Sequence, residues 1–269
     1  MLTHGLHYGS SIFEGERAYA GKIFKSTEHS ERFHKSASIL NFALPYSVEE
    51  ITKAKDEVVR ANSIVDGYIR PVAWRGSEMM AVSAQKSKIH VAIAAWQWPS
   101  MFKPEVKEKG IRLAWAKYKR PSGETEPVHA KAAGLYMICT VSKHAAEAAG
   151  YDDALMLDYR GYLAEATGAN LFLVIDGELH TPTPDCFLNG ITRQTVIELA
   201  KKRNITVVER HMEPRSSTAR RKSSSPAAPP RSLPSAKSEG KKFTPGAITR
   251  QLMDDYSALV RAHAKDKAA

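Results

Sequence analysis

The sequence predicts an α/β protein of two domains, on three observations. Strand-like runs and segments of helical period alternate along the 269 residues. Hydrophobic residues make up 43% and charged residues 25%, enough for one large or two modest cores. An irregular stretch with two prolines, 98–104, falls between a mixed N-terminal part and a strand that begins near Gly110. This gives a small domain over 1–98, a linker over 99–109 and a larger domain over 110–269.

The elements follow in order. Residues 1–15 carry too much Gly and Ser for a regular element. Residues 17–19 and 23–24 read as a hairpin turning at Gly21 and Lys22. Residues 27–42 read as a helix capped by Thr27, with Glu28 and Glu31 in its first turn and Phe33, Ala37 and Leu40 along one face. Residues 47–62 form a second helix with the capping-box pair Ser47 and Glu50. Strands follow at 68–74 and 88–98, and the period of two puts Tyr68 and Arg70 on one face. Beyond the linker come a strand at 110–118, a helix at 134–149 stopped by Gly150, and strands at 153–158 and 161–163. A hairpin then turns at Asp176 and Gly177, and a helix opens near Ile191 with Thr192 as its cap. A buried strand is expected to follow Val207 and Val208.

Charge and cysteine usage exclude several functions. The net charge of +10 invites a nucleic-acid reading, yet residues 215–242 hold eight Lys/Arg against one acid. That segment carries +7 of the +10, leaving +3 for the rest, so the basicity is no binding face. No apolar run approaches the ~18 residues of a membrane span. Cys139 and Cys186 make no metal or disulfide framework and read as small buried hydrophobes. A cytoplasmic protein with neither nucleic-acid nor membrane partners is expected.

Two stretches carry the chemistry: Glu-Ala-Thr-Gly-Ala-Asn-Leu-Phe at 165–172 and Leu-Asn-Gly-Ile-Thr-Arg at 188–193. A helix that starts behind Gly190 presents backbone N–H groups and partial positive charge, which suits a phosphate. The same hexapeptide also reads as an ordinary loop entering a surface helix. Taken singly, Lys131 among alanines reads as a surface lysine, Arg32 as a solvated helix residue and Glu165 as a turn-forming acid. Tyr68 and Arg70 read as a solvated edge.

Together, Lys131, Glu-x-Thr-x-x-Asn-Leu-Phe, Leu-x-Thr at 179–181 and Gly-Ile-Thr-Arg resemble the signature of class IV pyridoxal-phosphate aminotransferases. Within that class the chain is most similar to the branched-chain amino-acid aminotransferases, over about residues 2–214 and again from Phe243. The resemblance implies a fold-type-IV, D-amino-acid-aminotransferase-like architecture, a homodimer or higher homo-oligomer, and pyridoxal 5'-phosphate as cofactor. The implied reaction is amino transfer between leucine, isoleucine or valine and 2-oxoglutarate, with glutamate as the usual donor. It makes Lys131 the residue that joins the cofactor aldehyde and carries the α-proton. Tyr136 would bind the cofactor's phenolic oxygen, Glu165 its pyridine nitrogen, and Arg32, Ile191 and Thr192 its phosphate. Phe13 and Gly15 would line the side-chain pocket, and Tyr8 would reach the partner subunit's active site. Tyr68 would lie near the substrate α-carboxylate, and Arg70 would meet the γ-carboxylate of glutamate. Family members often carry a tyrosine near Met101, so a weaker hold on glutamate is expected. They also begin some two dozen residues earlier, so a truncated start is expected. D-amino-acid aminotransferases and aminodeoxychorismate lyases would share Lys131 and Glu165, but Tyr68-Ile-Arg-Pro and Phe13-Glu-Gly argue against both. A catalytically impaired pseudo-enzyme is the alternative from another class.

That alternative arises from residues 215–242, where Leu233 is the one large apolar side chain. By composition the segment is linker or disorder. Permissible codons for residues 217–237, read two bases later, yield a run containing Gly-Thr-Ala-Ala that resembles a family strand and turn. A frameshift across about 215–238 is therefore expected, with weak or absent turnover. The nucleotide sequence checks this: codons that permit the second frame are the expected result.

Overall fold

A computed structural model describes residues 1–98, 110–214, 235–238, 241–242 and 245–266. Two compact units emerge. One holds Met1–Pro99, Pro127–Met137 and Leu259–Ala269; the other holds Ser100–Glu126 and Ile138–Ala258. The expected linker, 99–109, lies outside the described residues, as does Met101.

The first unit opens with α1 (His4–Tyr8), β1 (Ser11–Phe13), β2 (Glu16–Tyr19) and β3 (Lys22–Ile23). Residues 1–15 thus contain a helix and a strand that composition did not reveal. Gly9 ends α1 at φ +66, and edge pairing supplies the backbone hydrogen bonds of β1. There follow α2 (Ser26–Ile39), α3 (Val48–Ala61), β4 (Gly67–Arg75) and β5 (Ile89–Gln97). Helix α2 starts one residue before Thr27. Lys25, at φ 52, turns the chain out of β3 and occupies the cap position without a capping side chain. The Ser47 and Glu50 capping box forms as the sequence predicts.

β4 is the central strand of this unit. β5 pairs along one edge, and β1 and β2 pair in succession along the other, all antiparallel. Phe13 faces Val72 and Glu16 faces Ile69, so β1 and β2 keep one register. They are one strand interrupted opposite Pro71. The Glu14 N–H donates to the Pro71 carbonyl at 2.8 Å, and Pro71 has no N–H to return the bond.

Period two then fixes the faces. Ile12, Ala18, Ile69, Ala73, Ile89, Val91, Ile93 and Ala95 meet apolar residues of α2, α3 and their connections, including Phe33, Ala37, Ile51 and Val59. Glu14 and Glu16 fall on this same helix-covered face and are fully buried. Each is met by a cation: Arg32 of α2 reaches Glu14, and Lys55 of α3 reaches Glu16 at 2.8 and 3.0 Å. Lys55 also donates to the Ser26 carbonyl at 2.8 Å.

In the second unit β6 (Ile111–Trp115) precedes α4 (Met137–Ala148), the first residue of which counts with the first unit. β7 (Asp153–Leu157), β8 (Leu163–Ala166), β9 (Leu173–Ile175), β10 (Glu178–Thr181), α5 (Ile191–Lys202) and β11 (Val207–Glu209) follow. Short strands β12 (Ser235–Ser238) and β13 (Lys241–Lys242) precede α6 (Ala247–Asp266), whose residues from Leu259 onward count with the first unit. One sheet runs β13-β12-β6-β7-β8 and another β11-β10-β9. Ile111, Leu113, Leu155, Leu163, Leu171, Leu173 and Met212 form a core between them. Asp176 and Gly177, at φ 50 and 86, make the predicted β9–β10 hairpin turn.

Most of the segment expected to be aberrant, 215–234, lies outside the described residues. Residues 235–238, which composition assigns to linker, instead pair in parallel with β6. The edge of β6 offers backbone donors and acceptors that an extended chain can satisfy whatever its side chains. Helix α6 buries Leu252, Tyr256, Val260 and Ala264, a spacing of four that marks it in retrospect. No helix among the described residues is long and apolar enough to cross a membrane.

The Glu16–Lys55 pair gives a stability test. Lys55→Ala leaves a buried acid without its partner and should cost about 3–5 kcal/mol in urea unfolding. Replacing both residues with apolar ones (Glu16→Leu with Lys55→Met) should cost less.

Candidate active site

Lys131 belongs to the segment 127–137 that clusters with the first unit. Its backbone is held from two sides. Its N–H donates to Ser36 Oγ of α2 at 2.9 Å, and its carbonyl accepts from the Phe13 N–H at 3.1 Å. Ala132 bridges to Ile12. Ala130, Ala132 and Leu135 pack with Leu40, so the small neighbours of Lys131 are core residues. The residue is 7% exposed, where a lone lysine would be solvated.

Lys131 Nζ donates to the Tyr136 hydroxyl at 2.7 Å. It lies 4.9 Å from the Phe13 ring centre and 5.0 Å from that of Tyr136, and the two rings meet edge to face at 4.8 Å. A 3-10 turn at Ala133–Tyr136 brings Tyr136 back toward the lysine. Arg70 joins the cluster: its guanidinium is 4.5 Å from the Phe13 ring centre and donates to the Tyr68 hydroxyl at 2.7 Å. The predicted shared face of Tyr68 and Arg70 is therefore present. Arg70 Nε is buried without an acceptor among the described residues. Gly15 is buried at the break between β1 and β2. Tyr8 is half-exposed on α1 and stacks on His4 at 4.5 Å.

Arg32 is not solvated. Its Nε and Nη2 donate to the two Glu14 oxygens at 2.8 and 2.7 Å, and His29 Nδ1 lies 2.7 Å from Glu14 Oε2. Burial alone would raise the Glu14 carboxyl. The Arg32 charge and the hydrogen bonds from Arg32 and His29 outweigh it and hold the group well below the usual carboxylate range. Burial lowers His29 to about 4, against the pull of Glu14, so at neutral pH its ring is uncharged and donates through Nδ1. Burial works against the Arg32 charge too, but Glu14 raises the group above the ordinary arginine value, and Tyr136 adds to this.

In the second unit Glu165 sits in β8, its Oε2 accepting from Asn170 Nδ2 at 3.1 Å and its Oε1 3.5 Å from Arg120 Nε. Arg120 is buried and also donates to Cys139 Sγ at 3.4 Å. Asn170 donates as well to the Leu188 carbonyl at 3.3 Å and lies against Gly190. Gly190, not Thr192, is the N-cap of α5 and offers no side chain to the helix start. Ile191 and Thr192 are the first two helical residues, and no acid occupies the first turn. Arg193 is buried and donates to Thr181, Pro182, Asn189 and Glu209.

Each unit thus gathers its own share of the expected residues. The first brings together Lys131, Tyr136, Phe13, Tyr68 and Arg70, and Arg32, paired with Glu14, is close enough to Tyr136 to feel it electrostatically. The second joins Glu165 to the start of α5 through Asn170. Glu14, His29, Asn170 and Arg120 escaped sequence reasoning. Glu14 and Asn170 lie inside the quoted motifs, so the signal was present without an assigned role.

The model for amino-transferase class IV matches residues 11–217. The "Probable branched-chain-amino-acid aminotransferase" of Rickettsia felis is 48% identical over 213 residues, 79% of this chain and 72% of that protein. The branched-chain-amino-acid aminotransferase of Escherichia coli K12 is 37% identical over 215 residues, covering 78% and 70%. Among solved structures, the T.th. branched-chain amino acid aminotransferase with pyridoxamine 5'-phosphate matches at a TM-score of 0.91 and 34% identity, covering 97% of this chain and 88% of that one. The same enzyme complexed with N-(5'-phosphopyridoxyl)-L-glutamate matches at 0.90 and 33%, with the same coverage. The chain belongs to the class IV aminotransferases, and its fold is that of the fold-type-IV pyridoxal-phosphate enzymes.

The contact of Gly190 with Asn170 is testable. A Cβ at Gly190 would lie 2.1 Å from Asn170 Oδ1, although φ there suits any residue. Gly190→Ala should lower stability by about 1–3 kcal/mol in chemical denaturation. The same change should cost less in an Asn170→Ala background.

Proposed function

We propose that the chain is a pyridoxal-phosphate-dependent aminotransferase that exchanges amino groups between leucine, isoleucine or valine and 2-oxoglutarate. The observation that carries this reading is the buried Lys131 amine, 2.7 Å from the Tyr136 hydroxyl and flanked by two aromatic rings. The donor set fits the cofactor in kind. Lys131 offers an amine to its aldehyde, Tyr136 a phenol to its ring oxygen, and Glu165 a carboxylate to its ring nitrogen. Arg32 and the start of α5 with Ile191 and Thr192 offer donors to its phosphate. When bound, the cofactor supplies the aldehyde that accepts the amino group and a ring that draws electrons from the α-carbon.

The protein's residues do the rest. Lys131 Nζ takes the proton from the substrate α-carbon and returns it, and the Tyr136 hydroxyl orients that nitrogen. Asn170 and Arg120 hold the Glu165 carboxylate in place. Arg70, with a buried Nε that lacks an acceptor among the described residues, is suited to a substrate carboxylate, with Tyr68 fixing its plane. The phosphopyridoxyl-glutamate bound by the T.th. relative supports glutamate as the donor that Arg70 meets. Phe13 and Gly15 would border the side-chain pocket. The reading includes a cytoplasmic homodimer. Exposed Leu6 and Tyr8 on α1 support a subunit contact there, with Tyr8 reaching the partner's site.

The purified chain mixed with pyridoxal phosphate should give a protein-bound visible band that Lys131→Ala lacks. Any amino transfer it catalyses should form glutamate from leucine and 2-oxoglutarate, at a rate well below that of an intact relative because of the sequence at 215–238, and D-alanine should not replace leucine. A folded chain that shows the absorbance of free cofactor alone overturns the reading.

A further inference from the structure

We propose that Glu14 is a positioning residue. It fixes the plane of the Arg32 guanidinium so that the edge turned away from the carboxylate is presented to an incoming phosphate monoester, and His29 locks the carboxylate in turn. The inference rests on the cofactor-phosphate reading of Arg32 and goes beyond it.

The geometry is side-on. Both Glu14 oxygens are taken by Nε and Nη2 of Arg32, which sets the guanidinium plane and leaves the Nη1 edge pointing away. Glu14 cannot turn, because Oε2 also accepts from His29 and the whole side chain is buried. His29 and Arg32 lie one turn apart on α2, so a single helix face carries both donors to one acceptor. The opposed strand position is equally constrained, since the Glu14 N–H is tied to the Pro71 carbonyl. An arginine on its own spreads over many rotamers and loses that freedom when it binds a phosphate. Glu14 removes the freedom in advance, at the expense of part of the positive charge.

The test compares pyridoxal phosphate with pyridoxal, which lacks the phosphate, by fluorescence-monitored binding to the full chain. Glu14→Gln puts an amide N–H against the donors of Arg32 or His29 and should lower affinity for pyridoxal phosphate roughly tenfold, the scale of ordering one arginine side chain. Affinity for pyridoxal should stay within about twofold. Glu14→Asp, which keeps charge and burial but shortens the reach, should lose part of the preference and guards against misfolding of the glutamine variant. Adding Glu14→Gln to Arg32→Ala should cause no further loss of preference. Equal losses for both ligands in the Glu14 variants mean packing damage and overturn the proposal. An unchanged or increased preference for the phosphorylated ligand also overturns it, the latter by showing that Glu14 competes with the phosphate. If Arg32→Ala itself leaves the preference intact, or the unaltered chain shows none, the phosphate reading of Arg32 fails first and takes the proposal with it.

Discussion

Glu14 is a carboxylate with no contact to solvent, and the first unit is arranged so that it remains paired. A buried ionised acid is tolerated only when opposite charge and hydrogen bonds replace the water it has lost. Arg32 supplies two bonds and the charge, and His29 supplies a third bond. Both come from α2, so this one acid fixes the rotation and height of that helix over the β1–β4 edge. Ser36, one turn beyond Arg32, then meets the Lys131 N–H. The buried acid and the buried lysine are therefore positioned by the same helix, from opposite faces of one strand.

That opposition follows from the unbroken register of β1 and β2 along β4. Period two sends Ile12, Glu14, Glu16 and Ala18 to the helix-covered face and Phe13 to the other. There Phe13 meets Arg70, Tyr136 and Lys131. A slip of one residue would exchange the two sets, turning the acids toward the Lys131 amine and burying Phe13 under the helices. Pro71 permits the local break at Glu14 and Gly15 without a shift of register, since the bond it cannot donate is the one absent there.

The second unit solves a smaller problem in the same manner. Asn170 touches Glu165, the Leu188 carbonyl and Gly190, so one amide ties the acid to the loop that begins α5. Gly190 is required there by proximity and not by backbone angle. Arg193 ties the same loop to the ends of β10 and β11. The Gly-Ile-Thr-Arg run thus combines a helix start that has neither a capping side chain nor an acid in its first turn with a buried anchor, Arg193, in that same turn.

The sequence by itself determined the class of the protein. Lys131, the Glu-x-Thr-x-x-Asn-Leu-Phe run and Gly-Ile-Thr-Arg identify the family because its chemistry restricts residue types at those places. Period two placed Tyr68 with Arg70, and local turn and cap chemistry placed the Ser47 and Asp176–Gly177 boundaries. Hydropathy would instead have turned Glu14 and Glu16 to solvent and read Arg32 and Lys131 as surface residues. Only the tertiary structure decided otherwise, because a carboxylate can be buried only once a cation distant in sequence arrives to meet it. The strand at 235–238 was hidden for a related reason: its hydrogen bonds are dictated by the open edge of β6, and its own side chains carry no sign of them. What depended on local preference was legible in the sequence. What depended on a partner brought by folding was not.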